Sequence, residues 1–171
     1  SIFLSEYFAV GLSMSFAFLL GVGVPALIYG ASPSIVTLLV VGVLLTLVFV
    51  SFAFLASVLT RDKAKAIGIA LLFWFYFSLI YDGLILWVIY TFSDYPLRGV
   101  TLALVSLNPV DLARIALLLQ LDISALMGYT GAFYRDFFGS NLGILSTIGI
   151  LLLWITLPVW GALRIFSRKD L

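Results

Sequence analysis

The stretch YFAVGLSMSFAFLLGVGVPALIYGASPSIVTLLVVGVLLTLVFVSFAFLASVLT, residues 7–60, runs for 54 residues without one charged side chain. About 20 apolar residues carry a helix across the hydrocarbon core of a bilayer. The stretch therefore has room for two spanning helices and a turn. The turn falls at Gly30-Ala31-Ser32-Pro33-Ser34, where proline and small polar residues interrupt a helix. Working outward from this break, the first span covers about 7–29 and the second about 34–60. A third, about 66–92, follows Lys65 and contains one acid, Asp82; a fourth, about 141–163, is again uncharged. Outer-membrane strands are short and alternate apolar with polar residues, whereas these runs are apolar on every side. The expected fold is all-α: an integral membrane protein with four transmembrane helices. The connection 93–140 would then hold short interfacial or re-entrant helices.

The composition agrees and removes whole classes of chemistry. Of 171 residues, 64% are hydrophobic and 10% charged, against about 45–50% and about 25% in soluble domains. A soluble chain of this size could not hide so much apolar surface. There is no cysteine and no histidine, so a thiolate site, a disulfide, an iron–sulfur cluster and a histidine metal site are excluded. No metal and no cofactor is expected in this chain. A net charge of +1 leaves no broad basic surface for nucleic acid. No P-loop is present, so ATP hydrolysis would come from another chain. The sequence opens on Ser1 without the basic start of a signal peptide. It reads as the C-terminal part of a longer membrane protein; loss of an initiator methionine is the alternative.

The few charges set an orientation. The elbow Arg61-Asp62-Lys63-Ala64-Lys65 carries three basic residues and one acid, and the tail carries Arg164, Arg168 and Lys169. The connection 93–140 carries Arg98, Arg114 and Arg135 against Asp94, Asp111, Asp122 and Asp136. The positive-inside rule puts elbow and tail in the cytoplasm. Both ends are then cytoplasmic, and 93–140 faces outward. Tyr90, Phe92, Tyr95, Phe133, Tyr134, Phe137 and Phe138 would form the outer aromatic belt.

The outward connection is far from polar. Residues 97–107 are apolar but too short to cross. Asn108-Pro109-Val110-Asp111 has the form of a helix start: a cap, a proline at the first helical position and an acid in the first turn. That helix should run to about Gln120, a length of about 18–20 Å, short of a crossing. Asp111 and Arg114 stand three apart and can pair on one face. A second short element, 121–134, has Gly128 and Gly131 as breaks. The region reads either as a lid packed on the spans or as a plain interfacial belt.

Asp82 is the one acid inside a span, and an intramembrane carboxylate is a candidate functional group. It lies in the outer third of its helix, so snorkelling to the interface is the competing reading, with Tyr81 and Ser78 as local partners. Gly83 beside it could allow a kink. Ser13, Ala17 and Gly21, and Gly139 with Gly143, are small residues at a spacing of four that lets helices approach. Pro25 and Pro158 could kink their helices. The elbow residues Arg61, Asp62, Lys63 and Lys65 read either as a contact for a cytoplasmic partner or as an orientation signal alone. No catalytic constellation emerges.

Taken together, the elbow continuing into Ala66-Ile67-Gly68, the third span ending in Tyr81-Asp82, the segment Leu107-Asn108-Pro109-Val110-Asp111-Leu112-Ala113-Arg114 and the basic tail resemble the permeases of ABC-2 type transporters. The resemblance covers essentially the whole chain. It implies six spans per subunit, of which these four look like the third to sixth, with the first two missing here. It implies a bacterial inner-membrane permease that is not itself an enzyme. It also implies a homodimer and a separate cytoplasmic ABC ATPase engaging Arg61, Asp62, Lys63 and Lys65. A narrower likeness lies in Asn108 to Arg114 and in Leu121-Asp122-Ile123-Ser124-Ala125-Leu126-Met127-Gly128-Tyr129-Thr130-Gly131-Ala132. These residues are similar to those of permeases that serve the maturation of nitrous oxide reductase. That likeness implies a periplasmic accessory protein meeting the outer segment through Asn108, Asp111, Arg114 and Asp122. It implies export of a sulfur species for a copper–sulfur centre. Met14 and Met127 are the only sulfur side chains, which fits copper carriage poorly, since copper(I) prefers thiolate or thioether ligands. An ABC-2 exporter of another cargo remains an alternative. So does a membrane enzyme or assembly factor with Asp94, Asp111, Arg114, Asp122 and Asp136 converging at the outer face. A structural membrane anchor is the third rival.

Overall fold

The computed structural model describes residues 2–30, 32–120 and 131–169. They are helical, and no strand occurs among the described residues. Four helices are long and apolar enough to cross a membrane: α1 (Ile2–Ile28), α2 (Pro33–Leu59), α3 (Lys63–Thr91) and α7 (Asn141–Lys169). Between α3 and α7 lie α4 (Arg98–Ser106), α5 (Pro109–Gln120) and α6 (Gly131–Phe138). The spanning helices outrun the apolar stretches because charged residues at their ends continue the helix beyond the hydrocarbon. Lys63 and Lys65 open α3, while Arg164 and Arg168 prolong α7 with Pro158 inside it. The first connection is built locally. Gly30 takes a positive φ of 119° and ends α1. Ser32 caps α2 by accepting from the Ile35 amide at 3.4 Å, with Pro33 in its first turn.

The chain divides into two compact units, one of Ser1–Trp74 with Leu151–Leu171, the other of Phe75–Ile150. In the first unit α1 packs along α2. Phe3, Tyr7, Gly11 and Ser15, spaced by four, form the buried face of α1. Gly42 of α2 leaves the space that the Phe18 ring fills. The Tyr7 and Ser51 hydroxyls share a hydrogen bond of 2.9 Å, and Ser51 donates to the Leu47 carbonyl at 2.7 Å. Phe52 stacks on Phe73 at 4.9 Å and tilts against Trp154 at 5.9 Å. The stripe Ser13, Ala17 and Gly21 is exposed instead, and among the described residues nothing lies within 4 Å of where a Gly21 Cβ would stand. Leu12, Phe16 and Leu20 are exposed beside it. Pro25 does not simply kink α1. It has no N–H to return to the carbonyl one turn back, and a π turn, Leu19–Gly23, takes up the misfit just ahead of it.

In the second unit α4 and α5 meet at a bend of 111°. The chain then returns through Gly139 and Ser140 into α7. The Gly139 amide closes α6 on the Arg135 carbonyl at 3.1 Å, and Ser140 caps α7 through the Gly143 amide at 3.1 Å. Gly143 sits directly against the Phe137 and Phe138 backbone, where a Cβ would collide. Its spacing with Gly139 therefore serves this return. Of the expected aromatic belt, Tyr90, Phe92, Tyr95 and Phe137 are exposed, but Phe138 is 1% exposed because the return folds over it. The element expected at 121–134, including Asp122 and Gly128, lies outside the described residues up to residue 130. The side chains of Phe133 and Tyr134 are not among those described.

Candidate functional site

The second unit holds a polar knot at the bend between α4 and α5. It starts from Asn108. The preceding turn closes through its own amide, which donates to the Val105 carbonyl at 3.1 Å. Its Oδ1 then accepts from the Val110 amide at 2.9 Å and caps α5. Pro109, at the first helical position, has no N–H that would need a partner. This is the start expected from the sequence. The rest of Asn108 was not legible there. The residue is fully buried. Its Nδ2 donates to Asp111 Oδ2 at 2.8 Å and to the Phe77 carbonyl at 2.8 Å. Phe77 lies in a second π turn, Tyr76–Ile80, within α3. Such a turn widens the backbone ladder where a side chain can enter.

Two further contacts tie α3 to the bend. Tyr81 donates its hydroxyl to the Leu104 carbonyl in the last turn of α4, at 2.8 Å. That carbonyl also accepts from the Leu107 amide at 3.2 Å, so the tyrosine adds a second partner at the helix end. Arg114 Nη1 meets Asp82 Oδ2 at 2.8 Å and Asp111 Oδ1 at 3.2 Å. The expected pair of Asp111 and Arg114, three residues apart, is present, and Asp82 joins it. Asp82 is thus held by Arg114, while Tyr81 turns to Leu104 and Ser78 plays no such part among the described contacts. Gly83 introduces no break, and α-helical geometry continues from Tyr81 to Thr91.

The electrostatics follow from two carboxylates on one guanidinium. Asp111 stands outside the four spanning helices, and its side chain is only 6% exposed. Burial pushes its carboxyl up to about 7, and the neighbouring Asp82 adds to the rise; Arg114 and the Asn108 amide pull the other way. The Arg114 guanidinium is held more firmly protonated, first by its hydrogen bond to Asp82. Among the described residues no group of three acids, histidines or cysteines is placed to hold a metal ion. The knot has no nucleophile with a base beside it. Its chemistry is mechanical: it fastens a bent helix pair to a spanning helix.

The expected partner-facing residues differ in burial. Asn108 is 0% and Asp111 4% exposed, and both are engaged in the knot. Arg114 remains half exposed, and Asp122 lies outside the described residues. The acids proposed to converge with Arg114 do not all do so. Asp136 pairs with Arg98 at 3.1 Å, and Asp94 is exposed.

The elbow belongs to the first unit. Arg61, Lys63 and Lys65 are exposed. Asp62 has a local task, since its Oδ1 accepts from the Ala64 amide at 2.9 Å and caps α3. Beside Arg61 lies an open hollow floored by Phe3, Phe54 and Phe166 and rimmed by Glu6. Near the end of α7, Arg164 lies 3.7 Å over the Trp160 ring. Sequence reasoning missed the Phe77 carbonyl and the Tyr81 contact. An asparagine buried at a helix start and a tyrosine next to the lone intramembrane acid were the available signals.

Comparison with known proteins places this architecture. The chain is 29% identical over 175 residues to the probable ABC transporter permease protein NosY of Stutzerimonas stutzeri, an alignment covering 93% of this chain and 58% of that protein. It is 27% identical over 168 residues to the probable ABC transporter permease protein NosY of Pseudomonas aeruginosa, covering 92% of this chain and 58% of that protein. The chain thus spans less than two thirds of the length of these curated relatives. Residues 3–171 match the family of ABC-2 family transporter proteins. With four spanning helices and a match over nearly its whole length, the chain belongs to the ABC-2 family of transporter proteins.

Proposed function

We propose that this chain is the membrane-spanning part of an ABC exporter permease that moves a sulfur species for the maturation of the copper–sulfur centre of nitrous oxide reductase. The observation that carries this reading is the likeness to NosY permeases across nine tenths of the chain. The absence of cysteine and histidine agrees with a cargo that needs no copper-ligating relay here. In this reading a homodimer of permeases is driven by a separate cytoplasmic ATPase. The exposed cations Arg61, Lys63 and Lys65 receive its motion, and closure of the ATPases rocks the permease between two packings. The chain lies in the cytoplasmic membrane with elbow and tail inside, as their basic charge supports. The bent pair α4–α5 then lies on the periplasmic side, where an accessory protein would meet the exposed residues around it.

The test is affinity capture of the full-length permease from solubilised membranes. A P-loop ATPase should co-purify, and its ATP hydrolysis should fall several-fold in a Lys63→Ala/Lys65→Ala permease that still assembles. Capture without any ATP-binding subunit, together with catalytic activity of the permease alone, would overturn the reading.

A further inference from the structure

Among the described residues there are two π turns, and they have different causes. Leu19–Gly23 precedes Pro25, which removes a backbone donor and accounts for the widening locally. Tyr76–Ile80 reads YFSLI and contains neither proline nor glycine. Nothing in its own sequence forces a geometry that is rare and poorer than the α-helix. What distinguishes it is the Asn108 amide seated on the Phe77 carbonyl at 2.8 Å, from a residue with no exposure to solvent.

The consequence lies in register. Residues of an α-helix advance by about 100° each, so Phe77 and Asp82 of an unbroken helix would stand about 140° apart. The wider turn advances each residue by less, and brings Tyr81 and Asp82 round toward the face of Phe77. On that face all three are used: Phe77 by Asn108, Tyr81 by the Leu104 carbonyl, Asp82 by Arg114. We propose that Asn108 is a positioning residue that sets the register of α3: by holding the Phe77 carbonyl it keeps the π turn, and the π turn delivers Tyr81 and Asp82 to the bent pair. When Asn108 lets go, the turn relaxes to α-helix, Asp82 swings off Arg114, and α4–α5 is released. The grip on the bent pair and the register of α3 are then one two-position element. The proposal does not depend on the cargo or on the ATPase.

The experiment is amide hydrogen exchange on the full-length permease in lipid nanodiscs. Asn108→Ser keeps a side-chain acceptor to cap α5 but is too short to reach Phe77, so it separates capping from register setting. Amides of residues 76–82 and 101–112 should exchange at least tenfold faster in this variant, with residues 41–56 unchanged. Exchange like that of the unmodified protein would assign Asn108 to capping alone and overturn the proposal. Deletion of Ser78 supplies a second route. With one residue fewer, an unbroken α-helix places Asp82 about 40° from Phe77, so the register no longer needs the π turn. The deletion combined with Asn108→Ser should therefore recover most of the protection of 101–112 that Asn108→Ser alone loses, and no recovery in the combined variant would also overturn the proposal.

Discussion

Asp111 shows how burial rewrites a residue that reads as a first-turn acid on an outward-facing helix. Its two oxygens are spent on Asn108 and Arg114, and Asp82 reaches the same guanidinium nitrogen. Its carboxyl, at about 7 in the folded chain, lies above the ordinary aspartate value of about 3.9. The folded state therefore binds the proton more tightly than the unfolded state. Through this group, stability is greatest below about pH 4 and declines as pH rises to about 7, with no further change above. Replacing Asp111 by Asn keeps an acceptor for Asn108 and removes the titration. The expected result is that melting temperature in detergent falls from pH 5 to pH 7.5 in the unmodified protein and that Asp111→Asn flattens the decline. Parallel profiles for both proteins would refute the assignment. At the elbow, Asp62 caps α3, so Asp62→Ala should lose about 1 kcal/mol of stability. Lys63→Ala should lose almost none, since its side chain is exposed. Thermal melts of the two variants separate capping from surface charge.

At the scale of elements, the return from α6 into α7 depends on close backbone approach. A Cβ on Gly143 would strike the backbone of Phe137 and Phe138, whereas Gly149, further along α7, has open space around it. Gly143→Ala should therefore destabilise by roughly 1–3 kcal/mol, the usual cost of forcing extra volume into a filled site. Gly149→Ala should be neutral or stabilising by up to about 1 kcal/mol, from helix propensity alone. Paired melts of the two variants check the difference, and equal effects would contradict the packing. The helices themselves were legible from the sequence because continuous uncharged runs of this length fit a spanning helix and not the short alternating strands of a barrel. Their ends were less so, since apolar length marks the hydrocarbon and not the helix. The second π turn was illegible for a physical reason: its cause, Asn108, sits 31 residues away. The start of α5 was legible because cap, proline and acid act within one turn.

For the whole molecule, the parts visible in the sequence are those set by local chemistry. The basic elbow, the lone intramembrane acid and the pair Asp111 with Arg114 all stand out without a structure. What joins Asp82 to that pair is packing between distant elements, and only the folded chain shows it. The surfaces left exposed on the spanning helices, such as Leu71, Leu72, Leu86 and Trp87 of α3, are apolar, as a chain that meets lipid or other subunits requires. The most direct measurement of the transporter reading is site-specific photo-crosslinking in cells. A crosslinking residue is placed at Lys63 in one full-length permease and at Asp136 in another. Position 63 should form an adduct with an ATP-binding subunit while position 136 forms none. An ATPase adduct at 136 with none at 63 would contradict both the orientation and the elbow's role.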